Sequence, residues 1–135
     1  MVILTVLVFS ACSNPMGVYR GSTTQTSSFG GMSSTRTVTG DIVTIFSSND
    51  PNSVVIESGG LAFTATKNGD ALTFAGGQAQ TITETNGMSS TTLTSGTGSL
   101  TATSLTVNLT LTQSQTSMGQ TANGTVMLAF TGQKI

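Results

Sequence analysis

The feature that most constrains this chain is a two-residue alternation of apolar and hydroxyl side chains, broken at short intervals by glycine turns. Residues 61–75 read Leu-Ala-Phe-Thr-Ala-Thr-Lys-Asn-Gly-Asp-Ala-Leu-Thr-Phe-Ala. Successive side chains on a strand point to opposite faces, so this pattern describes a half-buried hairpin and excludes a helix. Asn68-Gly69 is a favoured two-residue turn because both positions tolerate positive φ. That turn sets Lys67 opposite Asp70, Ala65 opposite Leu72 and Phe63 opposite Phe74. A second turn at Gly59-Gly60 sets Ile56 opposite Phe63 and Val54 opposite Ala65. Both turns place the same face of the middle strand in the core, and a register error in either would break that agreement.

The pattern continues on both sides. Gly30-Gly31 as a turn puts Arg20 opposite Asp41 and Val18 opposite Val43. Ile42, Val43, Ile45 and Phe46 supply apolar residues to both faces of that strand, so its inward face stays open. Asn86-Gly87 joins residues 78–85 to residues 88–100. A turn at Met118-Gly119 sets Val126 opposite Leu111, Leu128 opposite Leu109 and Phe130 opposite Val107. Gly96 and Gly98 weaken their strand and predict a bulge or bend, with space left beside the Leu109 stripe. The expected fold is all-β, an antiparallel up-and-down meander of about eight to ten strands, forming a small closed or curled barrel.

Composition narrows the function. Charged residues make up 7% of the 135, and the net charge is −1. The cations Arg20, Arg36, Lys67 and Lys134 are scattered, whereas nucleic-acid binding needs a clustered basic patch. Serine and threonine supply about a third of the chain, yet the β-branched residues and only two prolines argue for a folded β domain over disorder. Threonine's strand propensity accounts for the Thr-x-Thr runs.

Residues 2–9, Val-Ile-Leu-Thr-Val-Leu-Val-Phe, form an apolar run too short to span a bilayer as a helix, and Ser10-Ala11-Cys12 follows. Phe9-Ser10-Ala11-Cys12 resembles the lipobox of bacterial lipoproteins, although that family prefers Leu where Phe9 stands. The resemblance implies removal of residues 1–11 as an export signal, acylation of Cys12 and attachment to a membrane. Segment 12–15 is then the lipid-attachment segment and 16–135 one barrel-like domain. Ser13 after the cysteine points to the outer membrane of the cell envelope, as the family's sorting pattern implies. No Lys or Arg precedes the apolar run, as expected if the natural start lies upstream or the chain is a fragment. The meander is also loosely similar to lipocalin-like barrels, and Gly17-Val18-Tyr19 is similar to the Gly-x-Trp of their first strand. Tryptophan is absent, so this likeness implies architecture only.

The chain has no histidine, and its single cysteine is accounted for by acylation. That leaves five carboxylates as the means for catalysis: Asp41, Asp50, Glu57, Asp70 and Glu84. Asp70 has Lys67 as an expected cross-strand partner, Asp41 has Arg20, and Asp50 sits in the turn Asn49-Asp50-Pro51-Asn52. A three-residue loop after Ala75 would put Ile82 opposite Leu72, with Gln80 and Glu84 on the same face. Glu84 is therefore a candidate for orienting a ligand, or an ordinary barrel-rim residue in water. The expectation is a non-enzymatic envelope lipoprotein with no cofactor and no metal, binding a small apolar molecule. Its candidate lining is Phe63, Leu72, Phe74, Leu109, Leu128, Phe130 and Glu84. The alternative is a structural or surface-interaction lipoprotein with a filled core. A cavity of about 300 Å³ or more separates the first from the second.

Overall fold

A computed structural model describes residues 15–84 and 87–135, without the side chains of 82–84. The proposed signal, Phe9-Ser10-Ala11 and Cys12 lie outside the described residues, as does the side chain of Glu84. Nine antiparallel strands run in chain order: β1 (Pro15–Phe29), β2 (Met32–Ser47), β3 (Ser53–Ser58), β4 (Leu61–Asn68), β5 (Ala71–Phe74), β6 (Ala79–Glu84), β7 (Gly87–Leu100), β8 (Ser104–Ser117) and β9 (Gln120–Lys134). Each strand pairs with its chain neighbour except β5 with β6. Instead β5 pairs with β7, and β1 pairs with β9, which closes a hydrogen-bonded ring. The ring is not a regular barrel, because β6 is carried on β7 alone.

That exception has a physical remedy. β7 is long enough to pair with β6 through residues 87–92 and with β5 through residues 96–99, so the two short strands follow one another along it. β5 covers only the end of β4, leaving the backbone groups of Ala62 and Thr64 facing the gap. Two glutamines fill it. The Gln78 carboxamide accepts from Thr64 N at 2.8 Å and donates to Thr64 O at 2.9 Å. Gln80 accepts from Ala62 N at 3.2 Å and donates back to Ala62 O. Each side chain copies the donor–acceptor pair of a missing strand residue, so those backbone groups of β4 are satisfied. The fold-back predicted after Ala75 is thereby corrected: Ile82 lies opposite Ser89 on β7, not Leu72.

Two turns match the sequence reading. Gly59-Gly60 pairs Ile56 with Phe63 and Val54 with Ala65. Met118-Gly119 pairs Leu111 with Val126, Leu109 with Leu128 and Val107 with Phe130, with φ of 51° and 81° at the two turn residues.

Two others shift. Asn68 pairs with Ala71, so the loop residues are Gly69 and Asp70, and Phe74 faces Ala65 while Leu72 faces Lys67. Gly69 has φ of 62° and Asp70 does not take positive φ, which is the turn with glycine in its first central position. Lys67 Nζ donates to the Gly69 carbonyl, replacing the expected contact with Asp70. Gly87, predicted as a turn residue, is the first residue of β7, opposite Glu84. A Cβ there would lie 1.9 Å from the Thr116 carbonyl oxygen, so glycine is required for the approach to β8.

The first hairpin keeps its Gly30-Gly31 turn, with Phe29 opposite Met32. At Gly40, φ of 71°, β2 carries a bulge that moves the register by one residue. Tyr19 therefore faces Val43, and Gly21 faces Asp41, instead of the predicted Val18–Val43 and Arg20–Asp41 pairs. A one-residue step flips side chains to the other face. This settles which side of β2 is inside: Val43 and Ile45 are buried and Ile42 is exposed, while beyond the bulge Arg36 and Val38, though exposed to solvent, lie on the cavity side with their partners Gln25 and Thr23. A second shift, between Leu93 and Ser95, does the same for β7, burying Thr91 and Leu93 on one side and Gly96 and Leu100 on the other.

The core continues to one end of the ring through Tyr19, Val43, Ile45, Leu100 and Leu105. Burial raises the Tyr19 phenol above its ordinary pKa of 10.0. A raised folded-state value means that the folded protein holds the proton more tightly than the unfolded chain. The contribution is complete below the unfolded value and is lost as pH rises through the folded one. Urea unfolding should therefore show stability falling above about pH 10, and Tyr19→Phe should remove that part of the fall. Tyr19 is the only tyrosine, so tyrosinate absorbance reads it directly.

Candidate functional site

Unequal strand lengths create the site. β1, β2, β7, β8 and β9 have 14 to 16 residues, whereas β3, β4 and β5 have 4 to 8. At a rise of about 3.3 Å per residue, the long strands form a wall that continues well past the short one. The long wall's inner face emerges where the short wall stops, and a cavity of about 380 Å³ opens there.

Its apolar side consists of Phe63 and Phe74 from the short wall and Val107, Leu109, Leu128 and Phe130 from β8 and β9. Leu61 and Ile56 complete that side, with Ser58 and Gly59 at the rim. The facing side comes from β1 and β2: Thr23, Gln25, Arg36, Val38, Asp41 and Val43. Thr23 Oγ1 donates to Asp41 Oδ2, and the Ile42 amide donates to Asp41 Oδ1 at 3.0 Å. Gln25 Nε2 donates to Ser27 Oγ at 3.1 Å. The carboxylate is thus held by its own strand pair and is not presented to Arg20.

Of the candidate lining residues, Phe63, Phe74, Leu109, Leu128 and Phe130 meet at this cavity, and Leu72 does not. Leu72 is 2% exposed and lies in the core beside Gly98. The space predicted beside Leu109 at the glycines is filled: a Cβ on Gly96 would lie 2.6 Å from Leu109 Cδ2 and 3.0 Å from Phe74 Cβ. The glycines admit large neighbours, and the void comes from the difference in wall height. Sequence reasoning missed Thr23, Gln25, Arg36, Val38 and Asp41. The signal was Gly40, a glycine within an otherwise unbroken strand pattern, which marks a bulge.

Asp41 is the one carboxylate among the described lining residues. Asp50 caps the turn in which it sits, accepting from the Asn52 amide at 2.8 Å. No group of three or more potential metal ligands occurs among the described residues. A second hollow, of about 430 Å³ across β7, β8 and β9, is lined by Ser90, Thr92, Thr112, Gln113, Ser114, Asn123, Gly124 and Thr125. Hydroxyls and amides there are solvated already, so a ligand would gain little by displacing water. An apolar wall gains by the same exchange, which favours the first cavity as a binding site. Comparison of the chain with protein-family models, with curated proteins and with solved structures finds no match to any of them.

Proposed function

We propose that the protein is a non-enzymatic binding protein of the cell envelope that holds a small apolar molecule at the mouth of its β-ring. The observation carrying this reading is the cavity of about 380 Å³ with Phe63, Phe74, Leu109, Leu128 and Phe130 on one wall. Its size falls in the range of small-molecule sites, about 300–1,000 Å³. The direct test is an environment-sensitive apolar dye. It should bind the folded domain with one-to-one stoichiometry and raise the melting temperature. Failure to bind would leave a structural or surface-interaction role.

Attachment through Cys12, at the outer membrane, belongs to the same proposal. Outward-facing hydroxyls support anchoring by lipid over spanning by strands, since a membrane-spanning barrel needs an apolar outer band. Thr24 and Thr37, and Thr26 and Thr35, pair across exposed positions of β1 and β2 at 3.3 Å. Acyl burial contributes about 0.8 kcal/mol per CH₂, and more than one chain gives stable attachment. Expression in a bacterium that acylates lipoproteins should label the protein with a palmitate analogue and place it in the detergent fraction. Cys12→Ser should abolish both, and equal labelling of the variant would refute the anchor.

A further inference from the structure

The two sides of the cavity differ in chemistry, and the bulge at Gly40 is the reason. From Asp41 onward, odd-numbered residues of β2 face inward; before the bulge, even-numbered ones do. Uninterrupted alternation would have turned Thr35, Thr37 and Thr39 into the ring. The bulge instead turns in Arg36, the only charged residue of the segment 32–40.

We propose that the cavity takes an alkyl carboxylate, with the carboxylate at Arg36 and the chain against Phe63, Phe74, Leu109 and Phe130. The inference rests on the cavity being a ligand site. Of the four cationic residues in the chain, Arg36 alone belongs to its lining. Asp41 already accepts from Thr23 and from the Ile42 amide, and among the described residues no carboxylate pairs with Arg36. The guanidinium presents a planar fork of donors that fits a carboxylate through two parallel hydrogen bonds. Arg36 is exposed at the mouth, so a bound head group keeps contact with water and avoids the cost of full burial. The aromatic and leucine side chains deeper in offer an alkyl chain a dry wall. Polar rim and apolar interior thus match a ligand charged at one end.

The experiment compares dodecanoate, dodecanol and dodecyltrimethylammonium, by calorimetry, on the wild-type protein and on Arg36→Gln and Arg36→Lys. Dodecanoate should bind the wild type more tightly than dodecanol or dodecyltrimethylammonium. Arg36→Gln should weaken dodecanoate by about tenfold or more and leave dodecanol unchanged. Arg36→Lys should retain part of the preference, and added salt should weaken dodecanoate alone. Equal effects of Arg36→Gln on dodecanoate and dodecanol, or none on either, would overturn the head-group assignment while leaving the cavity as a binding site. Tighter binding of the quaternary ammonium would overturn it in favour of Asp41. If none of the three binds the wild type, the binding function fails, and this inference with it. Arg36 lies on an exposed stretch of β2, so unchanged melting of the unliganded variants is the control for folding.

Discussion

Phe63→Ala should lower the free energy of unfolding by about 3–5 kcal/mol, read from urea denaturation. Phe63 is 3% exposed, lies opposite Ile56 and belongs to the core shared by β3, β4, β8 and β9. Truncation loses the burial of the ring and leaves a void that joins the existing cavity. The surrounding strands are tied into a ring, so they have little freedom to collapse into it. Thr64→Ala, one residue along, should cost well under about 1 kcal/mol. Its side chain is exposed, and Gln78 holds its backbone groups, which the substitution leaves in place. Comparable losses from the two variants would mean that the inner and outer faces of β4 had been exchanged.

Leu109→Trp should abolish dye binding and leave the protein folded. Leu109 is half-buried and stands on the cavity wall opposite Leu128. Gly96 backs it closely, so a larger side chain has to extend into the void. Saturating the wild type at about 100 times the dissociation constant adds about 2.7 kcal/mol of stability, and the variant should show none of that gain. Leu105→Trp is the counterpart: Leu105 is 0% exposed and outside the cavity lining. There the indole has no space to enter, and overpacking should cost about 1–3 kcal/mol or more. If Leu109→Trp destabilises as much as Leu105→Trp and dye binding persists, the cavity does not lie where Leu109 points.

What the sequence by itself determined is what short-range physics controls. Alternation sets strands, because a side chain's face follows from its parity. Glycine turns set register where the turn geometry is unambiguous, as at Gly59-Gly60 and Met118-Gly119, and at Gly30-Gly31 only as far as the bulge at Gly40. Phe63, Phe74, Leu109, Leu128 and Phe130 could be grouped for that reason alone. At Asn68-Gly69 the same dipeptide rule mis-set the loop by one position, yet the faces survived because the cross-strand register moved by two residues, an even step. Tertiary structure decided the rest. Gly40 marks a bulge in β2, but the parity beyond it depends on which residue is left unpaired against β1, and that is set by the cross-strand pairing. Ring closure joins Phe74 to Gly96 and bridges Ala62 and Thr64 through glutamine side chains, pairings stabilised only once distant strands have assembled. The cavity follows from the same long-range terms. Its apolar half was written in local alternation, but its polar half faces inward only because a bulge, fixed by cross-strand hydrogen bonding, turned Arg36 into the ring.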